Sequence, residues 1–179
     1  MKIFLETERL ILRELLPSDA AGMLELDSNP NVLQYLGIQP ITTLAECKQT
    51  IRHVRDQYAR NGIGRWAVTL KSTGIFIGWA GLKYIDDAII NGQRNFYDLG
   101  YRFIEKYWGN GYGYEAAQAS VDFGFKFMKL PKISAYLDPE NEGSMRILKK
   151  CNLQYVETFQ EDGFTYHWME VFNPQSVEK

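Results

Sequence analysis

Apolar and charged residues alternate from Arg9 to Glu14, as in a strand with one face buried, and Pro17-Ser18-Asp19 then opens a helix running to about Asp27. A second helix is framed at both ends. Thr43 and Glu46 form a capping-box pattern, Cys47, Ile51, Val54 and Tyr58 keep helical spacing, and Asn61-Gly62 supplies the stop. Beyond Arg65 the pattern becomes that of strands. Arg65 to Leu70 and Ile75 to Ile85 flank a Lys71-Ser72-Thr73-Gly74 turn, and Asn91-Gly92 leads into a third strand from Phe96 to Ile104. These three form an antiparallel meander. A glycine-rich turn then starts a helix to about Lys129, with Lys126 and Lys129 suited to its negative end and Pro131 barring continuation. Ile133, Ala135 and Leu137 share one face of the next strand, Asn141 to Cys151 reads as a helix, and Leu153 to Phe159 with Phe164 to Phe172 closes the chain as a hairpin. The resulting order is β-α-α-β-β-β-α-β-α-β-β.

Composition narrows the class of protein. A chain of 179 residues, 45% hydrophobic, can bury one sizeable core, so residues 1–179 are expected to form one domain. Glu6, Glu8 and Arg9 interrupt the N-terminal segment before any apolar run of signal-peptide length, which argues against secretion and against a membrane span. Cys47 and Cys151 are too few and too isolated for a disulfide framework or a zinc site, so a reducing compartment, the cytoplasm, and no metal are expected. The formal charge of −2 lacks the basic excess of a protein that grips nucleic acid.

The densest chemical signal is Trp108-Gly109-Asn110-Gly111-Tyr112-Gly113-Tyr114-Glu115-Ala116, an alternating-glycine turn entering an amphipathic helix. Without Cβ atoms such a turn can converge its N–H groups on an anion at the positive end of the helix. A nucleoside triphosphate is disfavoured because Tyr114 and Glu115 stand where Lys and Ser or Thr would be needed. Gly111, Gly113 and Ala116 do fit a dinucleotide fingerprint, but that motif opens the first βαβ unit of a parallel sheet, and here it follows antiparallel hairpins. Coenzyme A, with one pyrophosphate and a long neutral arm, remains.

Three ordered groups of residues make the chain resemble the Gcn5-related N-acetyltransferase (GNAT) superfamily, in the branch named for ribosomal-protein alanine acetyltransferases. They are Asp98-Leu99-Gly100-Tyr101; then Tyr107 to Gly113 with Glu115-Ala116; then Pro139-Glu140-Asn141 with Ser144, Arg146, Leu148 and Lys150. Thr7-Glu8-Arg9-Leu10, Val32 with Tyr35-Leu36-Gly37, and Ile77-Gly78 with Gly81-Leu82 extend the match over nearly the whole chain. The resemblance implies an α+β, three-layer fold: a mixed, mostly antiparallel sheet of about seven strands with helices on both faces. It implies acetyl-CoA as co-substrate, held by the backbone of Phe103 and Ile104, by Trp108, Gly109, Asn110, Gly111, Tyr112, Gly113 and Tyr114, and by Asn141 and Ser144. The strand ending near Ile104 is expected to splay from its neighbour and to pair its amides with the pantetheine arm. Asn141 can bond that arm or act as an N-cap alone.

Amine attack on a thioester requires a free amine. A lysine-like amine with pKa near 10 costs about 4 kcal/mol to deprotonate at neutral pH, whereas an α-amine near 8 needs less help. Asp98, where relatives carry a Glu, is a candidate general base acting through water, or else the partner of Arg94 or Arg102 in an ion pair. Many relatives place a Tyr where this chain has Leu148, so the general acid is unassigned and Tyr155 is a stand-in candidate. The resemblance places the amine acceptor between residues 31–43 and 86–94. There Tyr35 could cover an alkyl chain, and Asp86 and Asp87 could attract a cation or form a solvated turn. His53, His167 and Cys151 carry no partner signal for catalysis. The expected partner is a small amine or a peptide N-terminus, acted on by a monomer or a homodimer. The alternative is a sensor that binds acetyl-CoA without turnover.

Overall fold

The structure, a computed structural model, describes residues 1–176. Its strands are β1 (Ile3–Glu6), β2 (Leu10–Arg13), β3 (Trp66–Leu70), β4 (Phe76–Ile85), β5 (Phe96–Phe103), β6 (Lys132–Leu137), β7 (Gln154–Glu161) and β8 (Phe164–Phe172). The helices are α1 (Ala20–Asp27), α2 (Pro30–Leu33), α3 (Leu44–Asn61), α4 (Tyr112–Lys126) and α5 (Glu142–Lys150). All strands join one sheet in the order β1-β2-β3-β4-β5-β6-β8-β7. The count is eight rather than seven because Ile3–Glu6 adds an edge strand antiparallel to β2, with Ile3 opposite Arg13.

Local chemistry accounts for the helix limits. Thr43 Oγ1 accepts from the Glu46 N–H and Glu46 returns a carboxylate to the Thr43 N–H, closing the capping box expected there. At the other end Gly62 takes φ +69°, a left-handed C-cap that a side chain would oppose. The fourth helix stops at Lys126, short of the expected Lys129, which lies outside it at φ +56°.

Alternation along the strands separates two cores. Leu82, Leu99, Ile133, Ala135 and Met169 face α4 and α5, meeting Ala116, Ala117, Val121 and Leu148. Ala67 and Ile104 meet Met23 and Leu26 of α1 and Cys47, Ile51 and Val54 of α3 on the opposite face. A third cluster, Ile85, Phe96 and Trp168 with Tyr136 and Phe159, lies beneath Ala88 and Ile90 of the β4–β5 loop. Asn91 fastens that loop across the sheet to Glu161 and Glu157 of β7.

One junction in the sheet is incomplete. From Gly78↔Phe103 to Ile85↔Phe96, β4 and β5 pair continuously, but parallel β5 and β6 share the single register pair Asp98↔Ser134. Past that pair the two strands diverge. This is the splay expected beside Ile104, and it leaves the β6-facing edge of β5 without a neighbouring strand in the middle of the sheet.

Candidate active site

The glycine turn lies at the open end of this splay and enters α4. Gly109 and Gly111 take φ +76° and +81°, which favour glycine, whereas Gly113 is already helical. Its missing side chain serves packing instead: a Cβ there would stand 2.9 Å from Ile147 Cδ1 of α5. Gly111 caps α4 without a side chain, so the first-turn N–H groups have no partner from it and point out of the positive helix end. A Cβ on Gly111 would have only Arg9 Nη2 nearby, at 3.4 Å. The turn therefore offers both donors and space to a pyrophosphate.

Arg9 sets this turn in place. Its Nη1 donates to the Asn110 carbonyl at 2.9 Å, its Nε donates to Glu115 Oε2 at 2.7 Å, and its guanidinium covers the Tyr112 ring at 4.6 Å. Glu115 also accepts from Thr7 Oγ1 at 2.6 Å and from the Arg9 N–H at 2.9 Å. Burial works to raise the Glu115 pKa, but these hydrogen bonds and the Arg9 charge hold it below the usual carboxylate value. Asn110 turns inward, its Nδ2 donating to the carbonyls of Tyr107 and Trp108. Tyr114 stays exposed, with Lys150 Nζ 5.7 Å from its ring centre.

Two of the expected backbone contacts are partly engaged within the chain. The Ile104 N–H donates to the Ile77 carbonyl at 3.0 Å, and its own carbonyl accepts from the Tyr107 N–H at 2.9 Å. The Ile104 N–H is thus spent, and its carbonyl opens the 3-10 turn Glu105–Tyr107 with one lone pair engaged. The Phe103 carbonyl is also taken, by Trp108 Nε1 at 2.7 Å. Trp108 is a strut here, and the open stretch of β5 is the one between Asp98 and Phe103. Across the splay, Asn141 Oδ1 accepts from the Ser144 N–H at 3.0 Å, so it does cap α5. Ser144 Oγ lies 2.9 Å from the Tyr101 hydroxyl, which ties α5 back to β5.

Asp98 sits at the last point where β5 and β6 touch, on the face turned toward α1 and α3, and it is buried. Its ion-pair partner is Arg65, not Arg94 or Arg102 as expected. Arg65 Nη2 donates to Asp98 Oδ2 while Nη1 donates to the Asp98 and Gly81 carbonyls. Among the described residues Asp98 Oδ1 has no partner. Burial pushes the Asp98 pKa up against the pull of Arg65, and the balance leaves it above the usual aspartate value. Arg102 is occupied elsewhere, donating from Nη1 to Asp27 Oδ1 at 2.5 Å. The Trp79 indole lies between the two cations, 5.6 Å from Arg65 Cζ and 5.1 Å from Arg102 Cζ.

The acceptor segments frame the same face. Asn29 and Asn31 both donate to Glu105, at 2.7 and 2.9 Å, pinning the segment after α1 beside the end of β5. Further along, Gly37 takes φ +62° and comes so close to the β7–β8 hairpin that a Cβ would lie 2.8 Å from Phe164 Cζ. Tyr35 is half-buried in this segment, and Asp86 and Asp87 lead the β4–β5 loop without an ion pair among the described residues. Tyr155 is not brought to the site. It stands on β7, separated from β5 by β6 and β8, with its ring 53% exposed and its hydroxyl 3.0 Å from Thr158 Oγ1. Leu148 is buried in the α5 core, and burial pushes the Cys151 thiol up to about 12, as befits a packing residue. Sequence reasoning missed Arg65, Arg9 and Glu105. Of these only Arg9 lay within a motif already singled out.

A mixed sheet parted between two parallel strands, with a donor-rich turn at its open end and a buried carboxylate where it closes, defines an acyl-transfer fold of the GNAT type. The acetyltransferase (GNAT) domain family matches residues 9–154, and the chain belongs to it. It is an N-acetyltransferase dependent on acetyl-CoA. An uncharacterised N-acetyltransferase, p20, of Bacillus licheniformis is 32% identical over 150 residues, which cover 84% of this chain and 82% of that one. The crystal structure of a GNAT-family acetyltransferase from Bacillus anthracis superposes with a TM-score of 0.80 at 24% identity, covering 97% of this chain and 99% of that one. A ribosomal-protein-S5-alanine acetyltransferase from Vibrio fischeri shares the fold at a TM-score of 0.78 and 18% identity, covering 95% and 96% of the two chains.

Proposed function

We propose that the chain moves the acetyl group of acetyl-CoA onto a primary amine, that of a protein N-terminus or of a small molecule, by direct attack in a ternary complex. The single pair Asp98↔Ser134 carries this reading, because it leaves an unpaired edge of β5 running from the glycine turn to a buried carboxylate. The coenzyme is held at the first turn of α4, along β5 between Asp98 and Phe103, and by the Asn141 side chain, whose Nδ2 is left over from capping. The amine enters over the face that carries Tyr35, Asp86 and Asp87 and meets the thioester beside Asp98. Asp98 Oδ1, opposite the oxygen held by Arg65, takes the ammonium proton directly or through a water. Its raised pKa brings it closer to neutral pH, where a base is most effective. Arg65 keeps the carboxylate in one orientation.

Of the two amine classes, an α-amine with pKa near 8 asks less of a base than a lysine-like amine does. The remaining assignments are one domain over residues 1–179, a cytoplasmic protein without a metal, and a monomer or homodimer. The test is incubation with acetyl-CoA and a panel of N-terminal peptides, polyamines, amino sugars and amino-acid derivatives, following free thiol. Release of thiol with one amine class identifies the acceptor. Binding of acetyl-CoA with no release from any amine overturns catalysis in favour of a sensor, the reading to which buried Leu148 lends support.

A further inference from the structure

On the face that carries Asp98, β6 presents two hydroxyls without a hydrogen-bond partner among the described residues. Ser134, directly opposite Asp98, is 1% exposed and its Oγ has no hydrogen-bond partner. Tyr136 follows two residues later, so it projects from the same face, one step into the region where β5 and β6 have parted. Its ring is fixed on three sides. It stacks on Trp168 with centroids 6.3 Å apart and planes at 6°, and it meets Tyr166 edge-on at 5.6 Å and Phe159 at 6.2 Å. Ala88 and Ile90 pack over this cluster. The residue is half-buried, and its hydroxyl makes no hydrogen bond among the described residues, so it is free to meet a ligand in the gap.

The surroundings of that hydroxyl are those of the reaction. Asp98 and Arg65 lie close enough for their charges to act on it, and burial raises its pKa further above 10, so it stays protonated and able to donate at any physiological pH.

We propose that Tyr136 is the hydrogen-bond donor to the coenzyme A sulfur as it leaves. The inference rests on the acetyl transfer proposed above. In that step the amine nitrogen forms a bond to the acetyl carbonyl carbon, the carbon–sulfur bond breaks, and its electron pair goes to sulfur. The ammonium gives one proton to Asp98 before attack, and the nitrogen of the adduct gives its second by the same route, both passing on to solvent. The Tyr136 hydroxyl keeps its own proton and stabilises the thiolate, because a thiol with pKa near 8.5 is the stronger acid of the two. A rigid ring aims this donor before the charge appears, so little reorganisation is needed when it does.

The test is Tyr136→Phe, which keeps the stacked ring and removes a hydroxyl with no partner among the described residues, so the melting temperature should hold. With an amine that the wild type acetylates, kcat should fall by about 10- to 100-fold while KM for acetyl-CoA stays constant. A second readout needs no acceptor: the pKa of the thiol of bound coenzyme A, followed by thiolate absorbance. It should lie about one unit higher on the variant than on the wild type, a tenfold change in thiolate stabilisation. Identical thiol titrations overturn the proposal, whatever happens to kcat, since lost rate with an unmoved thiol is what a packing defect produces. If no amine is acetylated by the wild type, the function falls and the thiol titration alone decides the role of Tyr136.

Discussion

Arg65 reaches Asp98 across Gly100, where a Cβ would stand 2.5 Å from Arg65 Nη2. The glycine opposite it on β4, Gly81, supplies a carbonyl to the same guanidinium at 2.6 Å. A flat cation thus lies over the side-chain-free Gly100 and against the Gly81 carbonyl, and it fixes a carboxylate that burial alone would neutralise. The arrangement separates orientation from reactivity, since one oxygen of Asp98 is held and the other is free.

Replacing Asp98 by Asn should lower kcat/KM at neutral pH by about 10²-fold or more, with a deficit that shrinks at high pH where the amine is already free. It also strands Arg65, at a cost of about 3–5 kcal/mol in urea unfolding. Adding Arg65→Met should restore stability and not rate. Recovery of both would make the pair structural only.

Gly111→Val should weaken coenzyme A binding at least about tenfold in a calorimetric titration, because a β-branched residue resists φ +81° and fills the space before the helix N-terminus. Gly113→Ala should behave differently. Its new methyl meets only the terminal Cδ1 of Ile147, at 2.9 Å, and gains helix propensity, so stability should change by less than about 1 kcal/mol while coenzyme A affinity stays near wild type. Equal affinity losses in both would return Gly113 to the phosphate site.

Glu115 gives a pH dependence with a definite sign. Its folded-state pKa is depressed below the ordinary 4.5, so its contribution is fully present above that value and is lost as pH falls through the depressed one. Stability of Glu115→Gln, compared with wild type by urea unfolding, should show a deficit near neutral pH that closes as the solution is acidified below 4.5. A deficit that widens in acid would mean the pair with Arg9 and Thr7 does not form.

Tyr155→Phe should leave kcat and its pH profile unchanged, since its hydroxyl is spent on Thr158 at the sheet edge. A tenfold fall in kcat would place β7 much closer to the chemistry than the sheet order allows.

What the sequence disclosed was local or periodic. Thr43 with Glu46, Gly62 and Asn141 each act within a few residues, so their spacing sufficed to place three helix ends. The glycine turn was equally legible as a motif, but not the division of labour within it: Gly109 and Gly111 serve conformation, Gly113 serves a helix contact. Arg65 and Asp98 are separated by 33 positions, and only the β3–β4–β5 register brings them together. Arg94 and Arg102 were nearer in sequence and wrong in space. Likewise β1 has four residues and no pattern of its own until β2 lies beside it.

The meeting of Gly37 with Phe164 joins two arms that reach over the same face from opposite sides. A side chain at Gly37 would have to displace the Phe164 ring and oppose φ +62°, so the segment after α2 and the β7–β8 hairpin are held together by a contact that only a glycine permits, and widening Gly37 would part them without touching Asp98 or Arg65.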